Sequence, residues 1–541
     1  MRRLCIALTV LLALLTPAPS LGEFDPFGKY DPPITVHFVR STDDTLEANY
    51  FSQHPDKSMT DNLWLDLYRD ALGIDVVYDW IVKYGEEYDQ KLNITLASGE
   101  IPEFTNVSTV QLKNLAEAGL ILPLEDIYET YAAPFTREVM EAEGTSPFDA
   151  ATIDGHLYGL PNVDGTINQP HLLWIRTDWL DALGLQPPAT MDELMDVMEA
   201  FVEADFDGNG EDDTVGLAFS RELWANFAGL QGFFNGFGAY PGIWVEQDGE
   251  LVYGSTLPGC REALEQLSEM YALGWIDPEF ALKDSNKVAR STTESKCGVV
   301  YGQQWNSIWP LQSSYDRDRA HTQWQAFPIV GADGIAPKAQ TAVATTSWTV
   351  VRRDVEHPEA LVKLFNLFIE KCWGETNEND VYYAPLDSES IWKLSPVTPT
   401  NPNKNIDAFE QLEEYRRTGD ASVVTGEGRS ILAKLERYAS GSDDGFALWG
   451  WERIYGADGA FGVLRDYRDA DMLQDNLFVG APTETMAERM DTIRLLQDET
   501  FTKIIMGESP IEAFDQFVED FYSLGGDRIT EEVNAWYRAL P

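Results

Sequence analysis

The chain has 541 residues, 44% of them hydrophobic, which is enough for two or three domains with sizeable cores and too apolar for a chain disordered as a whole. Its 90 acidic and 39 basic residues give a formal charge of −51, which repels polyphosphates and anionic lipid headgroups at long range and argues against nucleic acid as a partner. The same balance suits a well-solvated surface and a neutral or cationic ligand better than a polyuronate.

Arg2 and Arg3 precede an apolar run from Leu4 to Leu15, and "APSLG" then offers small residues for cleavage before Glu23. Residues 1–22 therefore read as a secretory signal. No later apolar run is long enough to span a bilayer. Cys5 lies before the apolar run and no cysteine follows it directly. The expectation is thus an exported protein of the periplasm or cell exterior, with a cleaved signal and no lipobox.

"ITVHFVRS" (34–41) alternates and is rich in β-branched residues, as a strand should be, and "DNLWLDLYRDALGIDVVYDWIV" follows as a helix, a glycine stop and a second strand. That is the start of a βαβ unit, and the helix, turn and short-strand texture of residues 93–131 continues it. From about residue 151 the pattern repeats. "DGHLYGLPN" (154–162) reads as a turn and a strand, "HLLWIRTD" (171–178) as another strand, and "TMDELMDVMEAFVEAD" (190–205) as a helix with Thr190 as N-cap and Glu193 at capping-box spacing. Another helix ends near Gly274, "KCGVVYGQQW" (296–305) reads as a strand, and residues 341–371 give strand, turn and helix, opened by His357-Pro358-Glu359. After a Pro/Asn-rich stretch at 396–405 the chain is mainly helical.

"DFDGNGEDDTVG" (205–216) packs five acidic residues, three glycines and an asparagine into twelve positions. With Asp205 first in a calcium loop, Asp207, Asn209, Glu211 through its carbonyl, and Asp213 fall at the ligand positions, and Gly210 falls at the sharp turn. Gly216 stands where a bidentate Glu is usual, so Thr214, a more distant carbonyl or water has to complete the shell. The alternative is an acidic Asx-rich turn that binds nothing. Cys260, Cys297 and Cys372 follow the signal without CxxC spacing, so they are three buried apolar residues or one disulfide plus a thiol. With six scattered histidines there is no zinc pattern.

Taken together, "LASGEIPEF", "LILPLEDI", "DGHLYGLPN", "LWIRTDWLDALGLQPPATMDEL", "GWIDPEF", "HPEALVKLFNLFIEK" and "IIMGESPIEAFDQFVEDFYSLGGDRITEEVNAWY" resemble the large extracellular solute-binding proteins of bacterial ABC importers for carbohydrates, over nearly the whole mature chain. The resemblance implies a two-lobe α/β periplasmic-binding-protein fold of type II, each lobe a mostly parallel sheet flanked by helices, with a largely helical C-terminal part. By motif, residues 23–165 with 341–395 form one discontinuous lobe and 166–340 with 396–541 the other, with crossovers near 161–170, 336–345 and 390–400. It further implies a monomer that captures an oligosaccharide in the cleft between lobes and hands it to membrane permease subunits without altering it, and a structural Ca2+ at the acidic loop.

A sugar site needs flat aromatic faces and short polar groups. In irregular stretches beside the expected crossovers and strand ends, the candidates are Trp305, Trp309, Trp348, Trp224, Asn226, Tyr240 and Trp244, with Asn162, Gln303 and Gln304 as amide contacts and Asp43 and Asp44 as hydroxyl acceptors. Trp64, Trp179 and Trp536 fall in helical patterns and read as core. No particular carboxylate pair, serine elbow or phosphate-cradling glycine loop stands out for an enzyme. The competing readings are a secreted carbohydrate-active enzyme and a binding protein for a peptide or polyamine.

Overall fold

The computed structural model describes residues 25–540 apart from 43, 145, 212, 333 and 386–390. The expected signal segment and Asp43 lie outside the described residues. In chain order the main strands are β1 (Ile34–Thr42), β2 (Ile74–Lys83), β3 (Phe104–Ser108), β4 (Leu160–Pro161), β5 (Leu172–Arg176), β6 (Trp244–Gln247), β7 (Glu250–Tyr253), β8 (Val299–Gly302), β9 (Trp324–Phe327) and β10 (Ser347–Val351). The helices that matter below are α1 (Leu63–Leu72), α2 (Met191–Val202), α3 (Pro258–Ala272), α4 (Ala360–Trp373), α5 (Lys404–Thr418), α6 (Gly426–Ala439) and α7 (Glu484–Ile505).

The first lobe is built on a five-stranded sheet of order β2-β1-β3-β10-β4. β1 pairs in parallel with β2 and β3, as the βαβ reading requires, and β10 runs antiparallel between β3 and β4. α1 makes the crossover. Asn62 Oδ1 accepts from the amides of Trp64 and Leu65 at 3.1 and 3.2 Å, which caps its start, and Gly73 at φ 66° ends it in the left-handed conformation that glycine adopts without strain. α4 is buried almost all round, from Ala360 to Ile369, as expected of a helix that is apolar on every face.

In the second lobe β5 lies between β8 and β9, and both pairings are antiparallel. The expectation of a mostly parallel sheet thus holds in the first lobe for β1, β2 and β3 and fails in the second. The physical reason is that "LLWIR" and "VVYG" are buried at every position. A continuous apolar run signals cover on both faces, and strand direction leaves no mark in it. On α2, Thr190 Oγ1 accepts from the Glu193 amide at 3.2 Å, but the Glu193 carboxylate reaches the amide of Ala189 at 2.7 Å, one residue before the cap.

Two large cores follow. One gathers residues 36–163 and 344–397; the other gathers 167–339 and 406–517. The chain passes between cores three times, between Val163 and Ile167, Ala339 and Ala344, and Val397 and Ile406. A smaller core joins the β6-β7 hairpin to the C-terminal helices through Trp244, Tyr253, Phe478, Ile493, Phe521 and Val533. Cys260, Cys297 and Cys372 are buried free thiols, so no disulfide forms among the described residues.

Candidate ligand cleft

In an open α/β sheet, ligands bind beyond the carboxyl ends of the strands. In the first lobe that edge carries the ends of β1, β2 and β3, the start of β10, and Asn162 directly after β4. A cavity of about 360 Å3 opens there, lined among others by Arg40, Tyr84, Tyr88, Asn106, Asn162 and Trp392. Asn162 Nδ2 donates to Asn106 Oδ1 at 2.8 Å and to Ser347 Oγ at 3.3 Å, so its amide is oriented by two neighbouring strands. Arg40 donates from a terminal nitrogen to the Lys393 carbonyl at 3.0 Å, tying β1 to the segment that leads into the third crossing. Burial raises the Tyr88 phenol, an effect the Arg40 charge partly opposes.

The second lobe presents its matching edge where β8 ends. β5 leaves the first crossing at Leu172, and Gly302, the last residue of β8, pairs with it. A side chain at 302 would come within 2.1 Å of Asn306 Oδ1, so the turn that follows requires glycine. That turn carries Gln303, Gln304, Trp305 and Trp309. The rings of Trp305 and Trp309 are 6.3 Å apart and inclined by 21°, and Trp309 is 40% exposed. Asn226 is exposed beside them, its carbonyl accepting from the Gln303 amide at 3.0 Å.

The crossings are bound to one another. The side chain of Gln169 accepts from the Ala342 amide at 2.6 Å and donates to the Val343 carbonyl at 3.2 Å, while Asn405 donates to Asn168 at 3.0 Å and accepts from the Tyr455 hydroxyl at 3.1 Å. Beside them Lys404 and Glu427 form a nearly buried ion pair at 3.1 Å.

Several sequence candidates lie elsewhere. Trp348 is 1% exposed, packs in the first core and donates its indole N–H to the Pro147 carbonyl at 2.9 Å. Trp244 is 3% exposed in the small C-terminal core. Both border a second cavity of about 520 Å3 between the lobes, yet neither offers it an accessible face. Trp224 packs on Phe234 and Phe501 and donates to Asp498 of α7 at 2.7 Å, which turns it away from the edge. Tyr240 is half-buried in a separate cluster with Ile243, Val245 and Leu257. Each of these aromatics was chosen from an irregular stretch, and irregular backbone is often covered by a neighbouring helix, which local sequence does not reveal. Gln304 is buried. Asp44 is exposed at the rim and pairs with Lys83 at 2.7 Å. The readings of Trp64 and Trp179 as core hold.

Arg40, Tyr84, Tyr88, Asn106 and Trp392 escaped the sequence reading. Their signal was position: Arg40 lies near the end of β1, Tyr84 directly follows β2 with Tyr88 in the helix after it, Asn106 lies within β3, and Trp392 precedes the Pro-rich crossing.

In the acidic loop, Asp205 accepts from the amides of Asn209 and Gly210 at 3.1 and 2.8 Å, and the Asn209 side chain donates to Asp207 and Asp213 at 2.9 and 3.2 Å. Gly208 and Gly210 are left-handed, at φ 70° and 76°. The Lys296 ammonium bonds Asp213 and holds its carboxyl below the usual range. Glu211 is exposed and Thr214 is buried behind the loop. Among the described residues no group of three or more His, Cys, Asp or Glu is arranged to hold a metal ion, and no helix is long and apolar enough to cross a membrane.

Comparison with known proteins gives this geometry its context. The fructooligosaccharide ABC transporter substrate-binding protein FusA of Streptococcus pneumoniae serotype 4 is 28% identical over 57% of this chain and 56% of its own, so the present chain spans little more than half of it. The polygalacturonan/rhamnogalacturonan-binding protein YtcQ of Bacillus subtilis is 22% identical over 82% of each chain. The crystal structure of the alginate-binding protein AlgQ2 without calcium ion superposes with a TM-score of 0.62 at 13% identity, covering 95% of this chain and 99% of that one, which is a likeness of fold. The family model for bacterial extracellular solute-binding proteins matches residues 56–371, more than half of the chain. The protein therefore belongs to the bacterial extracellular solute-binding protein family.

Proposed function

We propose that this protein is the exported substrate-binding component of an ABC importer, taking up an oligosaccharide between its lobes and passing it unchanged to permease subunits. The observation that carries the reading is that each lobe carries polar or aromatic groups at an edge where strands end: the first-lobe cavity holds Asn162, Asn106 and Trp392, and the turn after β8 in the second lobe holds the stacked Trp305 and Trp309. Sugars need flat C–H stacking partners and oriented amides, and Trp305, Asn162 and Asn106 provide them. FusA, which takes fructooligosaccharide, and YtcQ, which binds polygalacturonan and rhamnogalacturonan, support a carbohydrate as the ligand class. The lobes are residues 23–165 with 341–395 and 166–340 with 396–541, acting as a monomer after removal of the signal.

The described lining of the first-lobe cavity includes Arg40 and Lys393 and no carboxylate. This local balance departs from the global charge, and a neutral or an acidic sugar fits it. A screen of neutral and uronic oligosaccharides by calorimetry tests the function. Binding without product formation supports it, and turnover abolished by one Asp or Glu substitution would favour the enzyme reading instead.

The acidic loop supplies the oxygen donors that Ca2+ prefers, from Asp205, Asp207, Asn209 and Asp213 and the Glu211 carbonyl. Held there, the ion would be structural and would take over from the Lys296 ammonium as the countercharge of Asp213. Thr214, buried behind the loop, supports the turn and leaves the last ligand position to water or a more distant oxygen.

A further inference from the structure

Gln303 was chosen from sequence as a sugar contact, but its polar groups are already engaged. Its amide N–H donates to the Asn226 carbonyl at 3.0 Å and its carbonyl accepts the Trp174 indole N–H at 3.3 Å. Its side-chain Nε2 donates to the backbone carbonyl of Gln169 at 3.2 Å, and Oε1 accepts the Trp305 indole N–H at 2.7 Å. Gln169 lies just after the first crossing, and its own side chain grips the second crossing at Ala342 and Val343. One continuous run of hydrogen bonds thus leads from the second crossing through Gln169 and Gln303 to the indole ring of the platform.

We propose that Gln303 is a positioning residue that orients Trp305 and tethers it to the crossings, so that the setting of the stacking face depends on the relative position of the lobes. The proposal rests on the reading of this edge as half of a ligand cleft. The chemistry follows from the amide being bifunctional. With an acceptor and a donor on one planar group, the Gln303 amide holds an indole N–H on one side and a backbone carbonyl on the other. Gln303→Glu keeps the acceptor for Trp305 and replaces the donor with an oxygen facing the Gln169 carbonyl. Gln303→Leu removes both, and Gln169→Ala leaves Gln303 intact while releasing the second crossing.

The test needs no ligand, so its failure is distinct from failure of the sugar-binding reading. Two readouts are used on the full mature chain: the Trp305 indole N–H resonance, assigned with Trp305→Phe, and the interlobe distance distribution between spin labels at Glu87→Cys and Glu222→Cys. Gln303→Glu is expected to retain a hydrogen-bonded indole resonance and to broaden the distance distribution. Gln303→Leu should lose the hydrogen-bonded resonance and broaden the distances, and Gln169→Ala should broaden distances with the indole unchanged. If a sugar from the screen binds, Gln303→Leu should weaken it about fivefold, the factor that a neutral hydrogen bond of roughly 1 kcal/mol represents. An unmoved indole resonance in Gln303→Leu, or unbroadened distances in both Gln303→Glu and Gln169→Ala, would overturn the proposal. Should Gln303→Leu fail to fold, the other two variants decide.

Discussion

Trp348 offers a sharp test of where the cleft lies. It was a reasonable sugar contact from sequence, but the structure seals it into the first core with its indole N–H on the Pro147 carbonyl. Replacing it with phenylalanine removes part of a large buried ring, roughly 50 Å2 of apolar surface, at a cost of about 1 kcal/mol. It also leaves the Pro147 carbonyl without its donor, a further cost of about 1–3 kcal/mol for a buried polar group. The cavity cannot close easily, because Gly159 packs so tightly here that a Cβ would sit 2.8 Å from both Trp348 and Leu112. We therefore expect Trp348→Phe to lose about 2–4 kcal/mol of stability, measured by urea unfolding at matched m-values, with sugar affinity unchanged within twofold. The lobes have separate cores, so two transitions can appear, and the loss should fall on that of the first lobe. A variant of undiminished stability that binds sugar much more weakly would refute the reasoning and return Trp348 to the ligand.

Other predictions follow from particular contacts. Thr190→Ala removes the side-chain acceptor for the Glu193 amide and should cost about 1 kcal/mol of stability in denaturant unfolding, with Thr190→Ser largely neutral. His171 is buried at the start of β5, packed with Tyr301 around Gly232, with no protein partner for either ring nitrogen, and burial pushes its pKa down to about 3. Since the unfolded chain takes up this proton first, stability should fall as pH drops from about 6.5 toward 3. His171→Phe should flatten that part of the stability–pH curve, and an unchanged curve would mean that the ring is solvated. Chelation of metal-loaded protein with EDTA should lower the melting temperature. Asp205→Ala should abolish this response, and indifference to EDTA would count against calcium.

Much of the first lobe was legible because its signals are local. Alternation in β1, the helical pattern after it and the Gly73 stop specify a βαβ unit without any knowledge of distant residues. The antiparallel sheet of the second lobe was not legible, because "LLWIR" and "VVYG" are apolar throughout and carry no record of direction. At the cleft the pattern is similar. Asn162 and Trp305 could be chosen because one directly follows a recognisable strand and the other ends one, whereas Trp244 and Trp348 look alike in sequence and differ only in what packs over them. Gln303 shows a further limit. Its residue type suggested a ligand contact, and only the positions of Gln169 and Trp305 reveal that the amide is occupied.

The central claim is that the two lobes close on an unmodified oligosaccharide. Small-angle scattering of the mature protein, with and without a sugar that binds in the calorimetric screen, measures this directly. The account predicts a smaller radius of gyration on binding, lost in Trp305→Ala, with the sugar recovered intact. A bound sugar with no change in compactness, or one recovered cleaved, would contradict it.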